Sequence, residues 1–174
     1  MSGSRKPQPS SYGPTAVSEV VSNTGPLIAL AGIGRFSLLH DLFVTIHIPA
    51  AVFAEVQDET SRAALASANW LKLRTISSPL AVQILRDELD AGESEAIVLA
   101  TELQAGLLLV DERAATAKAR NRGLTTIGTL GVLLMAKEQG CLAAVKPAID
   151  DLRRAGFHMS ESLYHMVLAS AGEE

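Results

Sequence analysis

Four consecutive apolar residues, Leu107-Leu108-Leu109-Val110, run straight into Asp111. A run this short, with no alternating polar position, fits a strand buried on both faces. Such a strand needs helices above and below it, and the neighbouring sequence supplies them. Residues 92–104 read as a helix closed by Gly106, and residues 113–121 as a second closed by Gly123. Strands that alternate with helices define an α/β chain with a mostly parallel sheet covered on both sides. In such sheets ligands bind beyond the carboxyl ends of the strands. Asp111 sits there, and so does Asn23, at the end of a strand read over residues 17–23.

The rest of the chain continues the pattern. Pro26 opens a helix from Leu27 to Ile33, and a second covers Phe36 to Leu42. Phe43 to Ile48 alternates and β-branches as a strand does, and Pro49 starts the next helix. Trp70 to Ile76 alternates apolar with basic residues, the mark of an edge or half-exposed strand. Residues 79–89 read as a helix and Leu124–Ile127 as a short strand. Three helices close the chain, near 129–138, 144–155 and 160–171. Residues 1–16, rich in Ser, Pro and Gly, read as a disordered tail, in part an appended leader. The folded unit is a single domain over residues 17–172.

Composition removes several classes of function. Aromatics are only 4% of the 174 residues, which argues against base stacking on an aromatic platform. The net charge of −4 argues against a broad basic footprint but leaves room for a local one. One cysteine, Cys141, excludes an intrachain disulfide and a Cys-rich zinc site, and fits a reducing cytoplasm. No apolar run approaches the ~20 residues of a membrane span, and residues 1–16 lack the apolar core of a secretory signal. Neither a Walker loop nor a G-x-G-x-x-G is present. Ser94 is not a nucleophile elbow, because the second glycine is missing.

The acids carry the chemistry. Asp111 has a bland alternative as a helix cap, but its place at a buried strand end favours function. Glu95 falls at the edge of the stripe formed by Ala96, Leu99, Ala100 and Leu103, half-buried as a metal ligand would be. Asp90-x-x-Glu93 fits the reciprocal capping pattern, so structure accounts for Glu93. Glu55 flanks Val52, Phe53 and Val56, and taken alone reads as surface. Asn23 brings no negative charge. Its amide oxygen can still ligate a hard cation, and Thr24 adds a hydroxyl, although a helix cap explains Asn23 as well. The histidines lack ligand spacing: His47 reads as a strand residue, and His40, His158 and His165 as surface or partner-facing.

Taken in order, these segments resemble the PIN-domain nucleases, and in particular the prokaryotic PIN-like proteins related to VapC toxins. Val20-Val21-Ser22-Asn23-Thr24-Gly25-Pro26-Leu27 is similar to the opening signature, and Ile48-Pro49-Ala50-Ala51-Val52-Phe53-Ala54-Glu55 to the second. Gly92-Glu93-Ser94-Glu95-Ala96-Ile97 is similar to the third, and Leu108-Leu109-Val110-Asp111-Glu112-Arg113 to the fourth. Ile127-Gly128-Thr129-Leu130-Gly131 and Ala155-Gly156-Phe157-His158-Met159-Ser160 also fit. No one motif is specific; their order and spacing are.

The resemblance implies a three-layer α/β/α sandwich. It places Glu55, Glu95 and Asp111 at the second, third and fourth acidic positions, and Asn23 where the first acid is usual. Thr24 matches the hydroxyl residue beside that acid. These residues would then bind Mg²⁺ or Mn²⁺ and support hydrolysis of RNA. Toxins of this kind pair with a small antitoxin protein and form homodimers. Mg²⁺ suits such a site, since it prefers carboxylate oxygens. Arg113, Lys118, Arg120 and Arg122, which follow Asp111, are candidates for tracking an RNA backbone, with a solvated helix face as their alternative. The Leu-rich helices near residues 26–42 and 129–138 are candidate dimer contacts. The expectation is therefore a cytoplasmic, metal-dependent endoribonuclease toxin. Its main rival is a weakened or inactive PIN-like RNA- or protein-binding module, because Asn23 replaces the first acid. A small-molecule α/β enzyme is a third reading, lowered by the missing phosphate loops.

Overall fold

The computed structural model describes residues 18–174, and the tail expected over residues 1–16 lies outside the described residues. The first half of the chain runs β1 (Val20–Ser22), α1 (Thr24–Gly32), α2 (Ser37–Phe43), β2 (Ile46–Pro49), α3 (Ala50–Glu55), α4 (Glu59–Ser67) and β3 (Leu71–Arg74). It continues through α5 (Pro79–Leu85), α6 (Ala91–Glu102), β4 (Leu107–Leu109), α7 (Arg113–Asn121) and β5 (Thr126–Ile127). The close is α8 (Thr129–Glu138), α9 (Lys146–Arg154) and α10 (Glu161–Ala171).

The sheet is parallel throughout, in the order β3-β2-β1-β4-β5. Helices cover it on both faces, so the chain is an α/β/α sandwich. The chain grows outward from β1 in one direction through β2 and β3, then returns to add β4 and β5 on the other side. The order therefore reverses between β1 and β4, where a crevice opens at the carboxyl ends of the strands. The register sets Ser22 beside Leu109. The Asn23 amide donates to the Leu109 carbonyl at 2.8 Å, carrying the ladder one step further. Asn23 and Asp111 are thereby fixed on either side of the crevice.

The core is aliphatic. Val21, Ile46, Ile48, Leu108 and Leu109 of the sheet are buried, as are Ile97 and Leu99 of α6. Leu27, Leu30, Leu38 and Leu39 in α1 and α2, with Val132 and Leu133 in α8, also lie inside. These leucines serve the core, while Leu42, Leu130 and Leu134 of the same helices remain partly exposed. The exposed large apolar side chains are instead Val44, Phe53, Leu73, Leu80, Ile84, Leu163 and Met166. No described helix is long and apolar enough to cross a membrane.

Several boundaries differ from the expectations. The strand expected from Phe43 starts only at Ile46, because α2 continues through Phe43 and Val44 turns the chain at φ +62°. Helix α4 was not expected at all; Asp58 caps it by accepting from the Ser61 amide at 2.8 Å. Gly106 does not make the left-handed turn after α6, which falls to Gln104 at φ +50°. Gly106 serves a close approach, since a Cβ there would meet Ser18 Cβ at 2.3 Å.

Candidate metal centre

Asn23, Thr24, Gly25, Glu55, Glu93 and Asp111 line one pocket of about 490 Å³ at the switch point, together with Asp90, Glu112, Phe157 and His158. The lining thus holds the carboxylates of Glu55, Asp90, Glu93, Asp111 and Glu112, and neither Lys nor Arg.

Each carboxylate is held by a neighbour. Thr24 Oγ1 donates to Glu55 Oε2 at 2.8 Å, and the Gly92 amide donates to Glu55 Oε1 at 2.6 Å. Asp111 does not cap the helix that follows it. Glu112 takes that cap position, accepting from the Ala114 amide. The Asp111 carboxylate instead accepts from the Thr129 amide and the Thr129 hydroxyl, each at 2.7 Å, at the start of α8. Glu93 completes a reciprocal capping box with Asp90 at the start of α6. Among the described residues no three His, Cys, Asp or Glu side chains already converge as a ligand set. Each of these acids engages a protein donor of its own.

Three glycines make room for these acids. A Cβ at Gly92 would stand 2.2 Å from Glu55 Oε2. One at Gly128 would stand 2.8 Å from Asp111 Oδ1, and one at Gly25 would stand 3.3 Å from Asp111 Oδ2.

The electrostatics are unbalanced. Burial pushes the Asp111 carboxyl above its usual range, and the two Thr129 hydrogen bonds only partly pull it back. Burial also raises Glu93; the Asp90 amide opposes this, while the charges of Asp90, Glu112 and Glu55 add to it. Asn23 contributes an oxygen without charge. It occupies the cap position of α1 but makes no side-chain cap bond. It is only 6% exposed, and its Oδ1 has no hydrogen-bond partner. A buried amide oxygen left bare is costly. A donor set dominated by carboxylate oxygens and an orphaned amide acceptor fit a hard divalent cation such as Mg²⁺ or Mn²⁺.

Glu95 is placed elsewhere. Its Oε2 accepts from the Ala51 amide at 2.9 Å, across from the first turn of α3, and it does not line the pocket. It is partly buried, as the helical wheel expects, but the acid of α6 that reaches the pocket is Glu93. The basic residues after Asp111 are also outside the lining. Lys118 pairs with Glu88 at 2.7 Å, and Arg120 Nε donates to Thr126 Oγ1 at 2.9 Å. Arg122 Nη1 donates to the Lys118 carbonyl at 3.1 Å, and Arg113 is exposed at the start of α7. Two lining residues, Phe157 and His158, escaped the sequence reading as site residues. Gly156, at φ +94°, turns the chain after α9 and delivers them.

The fold and the site define an α/β/α sandwich with an acid-lined crevice at its topological switch point. The family model described as DUF3368, a PIN domain, matches residues 19–173, and the chain belongs to that family. PIN domains are in general metal-dependent nucleases that use divalent ions such as Mg²⁺. Compared with curated proteins, the chain shows no significant match.

Proposed function

We propose that the protein is a metal-dependent endoribonuclease, the toxin of a toxin–antitoxin pair. The nuclease part rests on one observation: a group of carboxylates lining one pocket, without Lys or Arg, beside a buried and unpartnered Asn23 oxygen at the sheet's switch point. In this reading Asp111, Glu55 and Asn23 hold Mg²⁺ or Mn²⁺, with Glu93 as the fourth oxygen donor. When bound, the cation offsets phosphate charge and activates water for attack on phosphorus.

The chain's own residues do the positioning. Thr129 fixes the Asp111 carboxylate through two hydrogen bonds, and Thr24 and Gly92 fix Glu55. Glu95 acts one step back: its bond to the Ala51 amide orients α3, the helix that carries Glu55. His158 is the one lining side chain able to carry positive charge toward a phosphate. Arg113 stands nearest in sequence for the flanking backbone; Lys118 and Arg120 are engaged with their own neighbours. RNA as substrate, a small antitoxin as partner and a homodimer as the assembly follow from the family's usual roles and belong to this proposal.

The test is cleavage of RNA by purified protein with Mg²⁺ or Mn²⁺, beside Asp111→Asn. Loss of cleavage in the mutant is expected, and unchanged cleavage refutes the site. A second reading has its own observation, the neutral Asn23. It holds that the site is weakened and the domain serves to bind RNA or protein. Failure of the wild type to bind Mg²⁺ or Mn²⁺ would favour it.

A further inference from the structure

The acid pocket does not end at Asp111. A second cavity of about 520 Å³ adjoins it and shares Thr24, Gly25, Asp111 and Phe157. Its walls are apolar: Ile28 and Ala29 from α1, Leu152 and Ala155 from the end of α9. Phe157 is the one aromatic residue that lines both cavities.

Away from the shared Thr24 and Asp111, Asp58 and Ser61 at the start of α4 supply the hydrogen-bonding groups of this groove. Ser61 is 1% exposed, yet its Oγ makes no hydrogen bond of normal geometry. Its amide donates to Asp58 Oδ2 at 2.8 Å, and that backbone bond holds the Asp58 carboxyl below its usual range. That carboxylate stays ionised and accepts hydrogen bonds only. A buried hydroxyl without a partner is rare in folded proteins, and here it lines a cavity beside a fixed acceptor.

We propose that this groove seats the nucleobase next to the scissile phosphate, with Phe157 against its face and Asp58 and Ser61 at its edge. The inference rests on the nuclease reading and names a determinant of its specificity. A base is flat and apolar on its faces and polar at its edge, which matches apolar walls with an acceptor and a hydroxyl beside them. An acidic acceptor selects an edge of N–H donors, and guanine offers two neighbouring ones, at N1 and N2. An apolar side chain from a protein partner would leave the Ser61 hydroxyl without a partner. The low aromatic content excludes a long stacking platform, but a single seat needs only one ring.

Calorimetric titration of the whole protein with guanosine, cytidine and uridine 5′-monophosphates and with ribose 5-phosphate, in the presence of Mg²⁺, tests this. Guanosine monophosphate should bind about tenfold or more tighter than ribose 5-phosphate, the scale of one stacked base. Phe157→Ala should remove that advantage. Asp58→Asn keeps a capping oxygen for α4 and should remove the preference for guanosine over cytidine and uridine. Thermal melts of both variants report whether they fold, and Phe157→Leu serves if the alanine variant does not. Equal binding of all four probes, expected of a groove that serves a protein partner, overturns the proposal. So does an unchanged guanosine preference in folded Phe157→Ala or Phe157→Leu. Cleavage of RNA alongside equal probe binding would leave the nuclease reading standing without the base seat. Base-selective binding without cleavage would support the seat and count against the nuclease reading.

Discussion

Gly92→Ala separates the needs of the site from the needs of the fold. An alanine in a helix is favoured over glycine by up to ~1 kcal/mol, so backbone propensity alone predicts a gain in stability. The new Cβ would lie 2.2 Å from Glu55 Oε2, 2.7 Å from its Cδ and 2.9 Å from Oε1. Ordinary contacts begin near ~3.5 Å, so the carboxylate must retreat by about 1 Å. The obstructing atoms are the far end of a flexible, half-buried side chain, which can move without disturbing the core. Retreat breaks the Gly92 amide bond at 2.6 Å and strains the Thr24 bond at 2.8 Å. Hydrogen bonds to charged groups are worth ~1.5–3 kcal/mol, but this carboxylate can recover water. The net stability change should then be within about 1 kcal/mol, a shift of a few degrees in Tm. Metal binding should suffer far more. A loss of ~1.4 kcal/mol in ligand positioning is a factor of ten in Kd, and displacement of a whole carboxylate should exceed it. Calorimetric Mn²⁺ titration and thermal melting of the same sample measure both quantities. Gly32→Ala is the control, since a Cβ there meets nothing within 4 Å. If Gly92→Ala binds Mn²⁺ as tightly as wild type, Glu55 is not a ligand held in place by that glycine.

Other expectations follow from the same geometry. Asn23→Asp adds a charge to a pocket that already raises Glu93 and Asp111, so without metal it should lower Tm; with Mn²⁺ it should bind more tightly and cut RNA faster, as activity assays with and without metal would show. Glu95→Gln should keep metal affinity within a few-fold of wild type, whereas Glu93→Gln should weaken it on the order of tenfold or more, because only Glu93 lines the pocket. The raised carboxyls of Asp111 and Glu93 disfavour the metal-free fold once ionised, so this penalty is absent below their ordinary range and grows as pH rises through their raised folded values. The Mn²⁺-induced gain in Tm should accordingly shrink toward acid. Glu173 behaves oppositely. Burial raises its carboxyl, but hydrogen bonds from Val145, Lys137 and Lys146 more than offset that and bring it down to about 2. Its contribution is present above the ordinary glutamate range and is lost as pH falls toward 2, so Glu173→Gln should lower Tm at neutral pH and flatten the acid limb of melting curves.

The parallel sheet and its site were legible where local pattern and tertiary placement coincide. Leu107–Val110 is apolar because β4 is covered on both faces, and its end had to be a switch-point edge once helices flanked it. Asn23 was readable for the same reason. Helix α4 was not, because its alanine-rich turn carries little amphipathic signal and only the Asp58 cap marks its start. Val44 was not either, since nothing in a β-branched residue announces a left-handed turn. A helical wheel placed Glu95 at the edge of the buried stripe but could not say what lies opposite; it is the α3 amide of Ala51. Glu93 had a usable signal. A helix that leads into a parallel strand starts at the carboxyl edge of the sheet, so the first turn of α6 borders the crevice. Phe157 and His158 come from a loop far along the chain, and only the packing of α9 brings them to Asp111.

The central claim is that this pocket is built for a divalent cation. Calorimetric titration of wild type and Asp111→Asn with Mn²⁺ near neutral pH tests it most directly. The wild type should bind saturably, and binding to the folded mutant should be weakened by about an order of magnitude or more. A wild type that takes up no Mn²⁺, or a mutant that binds it equally well, would contradict it.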